Sequence, residues 1–255
     1  MGDISLADLA AICELHGLEY LPYPFFSRTW LWADAHDKTI PDRLTDGDLH
    51  IFHDWIKAYT HADIWVECQV QHSDPDARAV RIAACRRGDR SAFLASQRPD
   101  QDVVDVYSVP PFDMGSAVAA SVELTAPGAH ARIVAPPFFA GLNRDDTNGH
   151  ASAAPGLLLP VAAPRPAGKV VPRSDVTAMA VVQSRCEPAR EWGLGQDRKA
   201  VGWVRVRDDG EYVYAPDFSH ATPLTEQQLS KRIDRLIAAD VAKLRQVRAV
   251  IEPPP

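Results

Sequence analysis

Cysteine is scarce and scattered, at Cys13, Cys68, Cys85 and Cys186. None forms a C-x-x-C pair, which argues against a zinc site, and the scatter argues against a disulfide framework. Reduced thiols in a cytosol are the simple expectation. No run approaches the roughly 18 apolar residues of a membrane helix. The opening stretch, MGDISLADLAAICELHG, has acids where a signal peptide needs a basic segment, so a cytoplasmic chain without membrane insertion is expected. Basic charge is also short: 27 Lys+Arg stand against 34 Asp+Glu, a formal net charge of −7, which argues against sequence-independent nucleic-acid binding.

The motifs of common chemistries are missing too. There is no G-x-S-x-G elbow and no H-E-x-x-H pair. GLGQDRK at 193–199 has two glycines and a lysine, but it lacks the preceding strand and the spacing of a phosphate loop. Asp208 and Asp209 are adjacent, project differently and make no acid/base pair. Arg87-Gly88-Asp89 sits between two strand-like runs and reads as turn chemistry. His50 and His53 stand at i, i+3 with Asp54 beside them and His61 close by, a spacing that can share a metal. A clear third ligand is lacking, and solvated histidines on a polar helix face are the plainer reading. No catalytic residue, metal site or cofactor is assigned. A metal-dependent hydrolase built on these histidines stays as an alternative.

What the chain does have is ordinary globular composition, 46% apolar and 24% charged over 255 residues, enough for a real core. The charge is uneven. Residues 1–150 carry 12 Lys+Arg against 22 Asp+Glu, net −10, and residues 151–255 carry 15 against 12, net +3. The two parts present different fields to a partner.

Local patterns give the elements. ISLADLAAICELHG reads as a helix capped by Ser5, with an apolar stripe of Leu6, Leu9, Ile12 and Cys13, stopped by Gly17. YLPYPFF packs the chain through aromatics, and its prolines rule out a helix. Residues 45–60 read as a second helix with Thr45 and Asp48 resembling a capping box. Period-two alternation then predicts a strand over 63–71, a hairpin over 81–97 and a strand over 103–109. A short helix over 111–124, with Asp113 as cap, and an extended stretch over 131–139 follow.

Residues 141–175 are rich in Ala, Pro and Gly without periodicity and read as a connector. Beyond it come a strand over 176–185, a hairpin over 201–216 and an amphipathic helix over roughly 224–247. Leu229, Ile233, Leu236, Ile237, Val241 and Leu244 form that helix's stripe, and Thr222 or Thr225 caps it.

Strand, hairpin, helix thus occurs twice. The expected fold is α+β, a quasi-two-fold arrangement of two such halves, 1–140 and 176–255, joined by 141–175 into one compact domain. A central, mainly antiparallel sheet is flanked by helices.

Asp209-Gly210 is taken as a two-residue hairpin turn. Arg207 then opposes Tyr212, Val206 opposes Val213 and Arg205 opposes Tyr214. Val204, Val206 and Val213 face the core. Trp203, Arg205, Arg207, Tyr212 and Tyr214 share the other face, a composition enriched at binding hot spots. Arg stems lying over aromatic rings by cation–π contact are the plain structural alternative. On the binding reading, Trp203→Ala or Tyr214→Ala would weaken association by about 1–3 kcal/mol.

The RRGD turn between strands in the first half and VGWVRVRDDGEYVYAPD in the second resemble the EspG family of type VII secretion chaperones. So do the opening ISLADLAAICELHG with LPYPF and the closing LSKRIDRLIAADVAKL. The resemblance spans most of the chain except 141–175, where the family has helices. It implies a cytosolic, non-catalytic chaperone with a quasi-two-fold α/β fold, central sheet and helical bundles. Such a chaperone binds the helical tip of a PE–PPE heterodimer, keeps it soluble and delivers it to its secretion machine. The implied contact surface is the hairpin 201–216 with the helix 224–247, including Leu229 and Ile233, and a loop near 72–80. A homodimeric structural protein whose aromatic face pairs with itself remains the other alternative.

Overall fold

A computed structural model describes residues 1–28, 31, 38–74, 76–136, 138, 168–189, 192–195 and 198–251. Of the expected connector 141–175, residues 141–167 lie outside the described residues. The architecture is α+β: a large, mainly antiparallel sheet flanked by five α-helices among the described residues.

The first half opens with β1 (Gly2–Ser5) and α1 (Leu6–Leu15), capped by Ser5, whose hydroxyl accepts from the Asp8 amide at 3.0 Å. The single helix expected over 45–60 is instead two, α2 (Ile40–Asp46) and α3 (His53–Thr60), with a 3₁₀ turn at His50–Phe52 between them. The break falls at Gly47, which has extended backbone (φ −114°, ψ −162°). The anticipated capping box at Thr45 does not form. Thr39 caps α2 by accepting from the Asp42 amide, Thr45 donates back to the Pro41 carbonyl, and Asp48 pairs with Arg43 at 2.7 Å. β2 (Ile64–His72), β3 (Val80–Arg87), β4 (Ser91–Gln97) and β5 (Val103–Val109) then run as a meander to α4 (Met114–Ser121).

The second half begins with two-residue strands, β6 (Ile133–Val134) and β7 (Lys169–Val170), so part of the expected connector joins the sheet. β8 (Val176–Arg185), β9 (Ala200–Val206), β10 (Gly210–Tyr214) and β11 (Ala221–Pro223) form the matching meander, followed by α5 (Glu226–Ile251). Thr225 caps α5 in a reciprocal box: its hydroxyl accepts from the Gln228 amide at 3.2 Å while its own amide donates to Gln228 Oε1 at 3.0 Å. Pro223 closes β11 rather than opening the helix.

The strand order is β1-β5-β4-β3-β2-β8-β9-β10-β11-β6-β7. The two meanders run outward from the antiparallel β2–β8 pair, where Cys68 faces Val182. Both long connections, α4 and α5, pack on one face. Period-two alternation explains why: Ile64, Val66, Cys68 and Val70 of β2 meet Val118, Leu229 and Ile233 there. On the opposite face, α1 to α3 cover Trp65, Cys85, Phe93 and Val106 in the first half. A smaller cluster around Ile133, Val171, Tyr212 and Tyr214 covers the second half.

Candidate partner-binding site

The β9–β10 hairpin has a different register from the one expected. Gly210 faces Val206, Glu211 faces Arg205, Tyr212 faces Val204 and Val213 faces Trp203. The turn is Arg207-Asp208-Asp209, and Asp208 takes the left-handed position at φ 53°. Gly210 (φ 147°) belongs to the strand. A Cβ there would come within 2.5 Å of the Ala126 carbonyl oxygen, so glycine serves a close approach rather than the turn.

The register is shifted by three residues, an odd number, so side chains that were expected to share a face are separated. Trp203 and Val213 face the α4/α5 core, with Leu229 and Ile233 against them. Tyr212 and Tyr214 point to the other face with Val204 and Val206. Trp203, Tyr212, Tyr214, Leu229 and Ile233 are all buried, at 0–3% exposure. The single exposed Trp–Tyr–Arg face therefore does not exist. The physical reason is coverage from both sides: α5 packs with Trp203, and the segments around Gly128–His130 and Pro136 contact the two tyrosines.

Arg205, Asp209, Glu211, Tyr212 and Tyr214 of the hairpin are all engaged within the chain. Arg205 donates to Glu211 Oε1 at 2.6 Å and to the Glu123 carbonyl at 3.3 Å, tying the hairpin to the end of α4. Tyr212 Oη donates to Asp209 Oδ1 at 2.8 Å and accepts from the His130 amide at 2.9 Å. The Tyr214 hydroxyl donates to the Pro136 carbonyl, and burial raises its pKa. Asp209 also accepts from the Ala129 amide at 2.7 Å and meets His130 Nδ1 at 2.9 Å. Burial alone would raise the Asp209 carboxyl, but the bonds from Ala129, Tyr212 and His130 outweigh it and hold the carboxyl below its ordinary range. Arg207 is exposed at the turn.

What the hairpin and α5 do build is a groove at the strand ends, about 320 Å³ in volume. Val201, Gly202, Tyr214, Pro216, Phe218 and Leu236 make an apolar wall, and Lys199, Arg232 and Arg235 bring positive charge to it. Tyr214 and Phe218 lie with ring centroids 5.5 Å apart. Arg232 is half-buried on α5, and burial and the neighbouring Arg235 charge both lower its pKa. Sequence reading identified the elements of this groove but not its charged members. Arg232 and Arg235 lie three apart on α5, one turn from Leu229 and Leu236, and that spacing was the available signal.

A second depression lies on the first half's side. Tyr20, Phe26 and Trp192, exposed at 55%, 46% and 43%, border an open groove of about 710 Å³. Trp192 stacks edge-on against Tyr23 at 5.1 Å. Beneath, in a cavity of about 80 Å³, lie Trp65 and Arg185. Arg185 stacks on the Trp65 ring at 4.4 Å and donates to Glu67 Oε1 at 3.0 Å, a buried pair at the junction of the halves. Burial keeps the Glu67 carboxyl above its ordinary range against the pull of Arg185.

His50, His53 and His61 do not gather into a metal-binding group among the described residues. His53 is exposed beside Asp54, and His61 Nδ1 lies 2.9 Å from the Thr60 hydroxyl. Among the described residues, no group of three or more His, Cys, Asp or Glu is placed to hold a metal ion. The four cysteines are free and buried, and burial pushes the Cys13 and Cys85 thiols up to about 12. Among the described residues, no helix is long and apolar enough to cross a membrane.

No family model matches the chain, and no curated protein matches it by sequence. Among solved structures, it is similar to the Mycobacterium tuberculosis type VII secretion system chaperone EspG5, seen in complex with a PE25–PPE41 dimer. The identity is 12% and the TM-score 0.46, over 89% of this chain and 92% of that one. A likeness at that level does not say what this chain binds.

Proposed function

We propose that this protein is a non-catalytic cytosolic chaperone or adaptor that binds the helical end of a PE–PPE-type secretion substrate and delivers it to a type VII secretion system. The observation that carries the reading is the groove between the β9–β10 hairpin and α5. It combines an apolar, aromatic wall with positive charge, on a rigid sheet end beside a long helix. Such a groove suits an amphipathic helix that lays its apolar side against it. The wall is preformed, because Tyr214 is fixed through its hydroxyl to Pro136 and α5 is anchored by Leu229 and Ile233. The resemblance of the hairpin and closing helix to the EspG family points to the same two elements. Phe218 and Leu236 meet the partner, while Tyr214, Trp203, Leu229 and Ile233 act from beneath by holding the strand end and the helix in place.

The direct test is co-expression with PE–PPE heterodimers encoded in the same genome, followed by size-exclusion chromatography with mass measurement. A stable complex with one heterodimer, lost when Phe218 or Leu236 is changed to Asp, is the expected result. A chain that elutes alone beside every heterodimer at tens of micromolar refutes the adaptor reading.

A further inference from the structure

Three cations border the hairpin–helix groove, and no hydrogen bond or ion pair joins them to another described residue. Lys199 stands at the start of β9, and Arg232 and Arg235 stand one helical step apart on α5. Several other arginines of the chain are closely paired: Arg43 with Asp8 and Asp48, Arg98 with Asp3 and Asp105, Arg185 with Glu67, Arg205 with Glu211. Among the described residues, no carboxylate lines this groove. Arg232 is half-buried with a second guanidinium for a neighbour, an arrangement that costs free energy until an anion arrives. The apolar wall is only a few side chains wide, and about 320 Å³ is at the small end for a ligand site. It holds one or two anchoring side chains.

We propose that this groove is a receptor for a carboxylate carried next to an apolar anchor at the end of a partner's helix. The apolar side chain rests against Phe218 and Leu236, with the buried Tyr214 behind them, and the adjacent Asp or Glu is held by Arg232 and Arg235 with Lys199 at the rim. Guanidinium groups suit this task because their planar fork can bind both carboxylate oxygens. The inference rests on the adaptor reading for the source of the helix, but its chemistry is tested separately.

The probes are a pair of synthetic amphipathic helical peptides ending in Phe-Leu-Glu-amide or Phe-Leu-Gln-amide, and 4-phenylbutyrate as a free aryl carboxylate. Each is titrated into the isotope-labelled full chain and followed by backbone amide shifts. The expected result is saturable shifts confined to 199–202, 214–218 and 232–236, with the Glu peptide binding about tenfold or more tightly than the Gln peptide. That preference should shrink in about 0.5 M salt. It should vanish in R232Q/R235Q, a variant whose melting temperature stays near wild type because neither side chain has an internal partner among the described residues. Equal binding of the two peptides, or shifts elsewhere, overturns the anion site even if a PE–PPE complex forms. Tighter binding of 4-phenylbutyrate than of the Glu peptide overturns the helical source and makes this a small-molecule site. A heterodimer that fails to bind while the Glu peptide binds refutes the adaptor reading alone.

Discussion

Replacing Trp203 by alanine separates two accounts of the hairpin. If the indole were an exposed hot spot, the variant would fold normally and lose only partner affinity. In the structure it is 2% exposed and sits between the sheet and α5 with Val213, Leu229 and Ile233. Truncating a buried Trp to Ala typically costs about 3–5 kcal/mol, because transfer free energy is lost and a cavity is left behind. The neighbours here are held by strand pairing to β8 and β10 and by the long α5, so little collapse into the hole is available. For a chain of this size each kcal/mol moves the midpoint by about 2–4 °C, so the melting temperature should fall by roughly 6–20 °C. Thermal unfolding followed by circular dichroism reads this directly. Arg207→Ala, at the exposed turn of the same hairpin, is the control and should shift the midpoint by no more than about 1–2 °C. A Trp203→Ala variant that melts with wild type would refute the burial argument and restore the exposed face.

Further outcomes follow from buried polar groups and close contacts. Glu67→Gln leaves the buried Arg185 charge without its carboxylate and should cost about 3–5 kcal/mol, whereas Glu67→Leu/Arg185→Met should recover most of that in chemical denaturation. A double variant no better than the single would contradict it. Asp209 has a depressed carboxyl pKa, so its contribution to stability is present above pH about 4 and is lost as pH falls through the lower folded-state value. The melting gap between wild type and Asp209→Ala should therefore be constant from pH 7 to about 5 and narrow toward pH 2; a gap that widens in acid would reverse the assignment. Gly128→Ala would set a methyl 1.9 Å from the Tyr212 ring and should destabilise by about 1–3 kcal/mol through displacement of that ring, measured as a lower denaturant midpoint.

Much of the secondary structure is local and therefore legible in sequence. The apolar stripe Leu229, Ile233, Leu236, Ile237 with the Thr225–Gln228 box writes α5 directly into the chain, and the alternation of IWVECQVQH writes β2. The repeated order of strand, hairpin and helix was enough to expect an α+β fold with a central, mainly antiparallel sheet, whereas the outward run of two meanders from the β2–β8 pair is seen only in the structure. Short strands were not legible: β1, β6, β7 and β11 have two to four residues each, too few for a period to show, and they are defined by the strands they pair with. The α2–α3 break was also missed: Thr45 and Asp48 suggested a helix start at a point where α2 instead ends, at the extended Gly47.

The hairpin shows where sequence stops. Arg207-Asp208-Asp209-Gly210 supports two turns whose strand registers differ by three residues, and local propensity favours Asp-Gly at the centre. Tertiary contact chose the other, because the 126–128 segment approaches β10 so closely that only glycine fits at 210. That choice moved Trp203 beneath α5 and sent Tyr212 and Tyr214 to the opposite face. The sequence by itself determined that this protein has a Trp/Tyr/Arg hairpin followed by a long amphipathic helix. Only the folded arrangement decided that the aromatics are core and that the surface between hairpin and helix is a small apolar groove edged by Lys199, Arg232 and Arg235. Side-chain period is set residue by residue, whereas register and coverage are set by what packs on each face of the sheet.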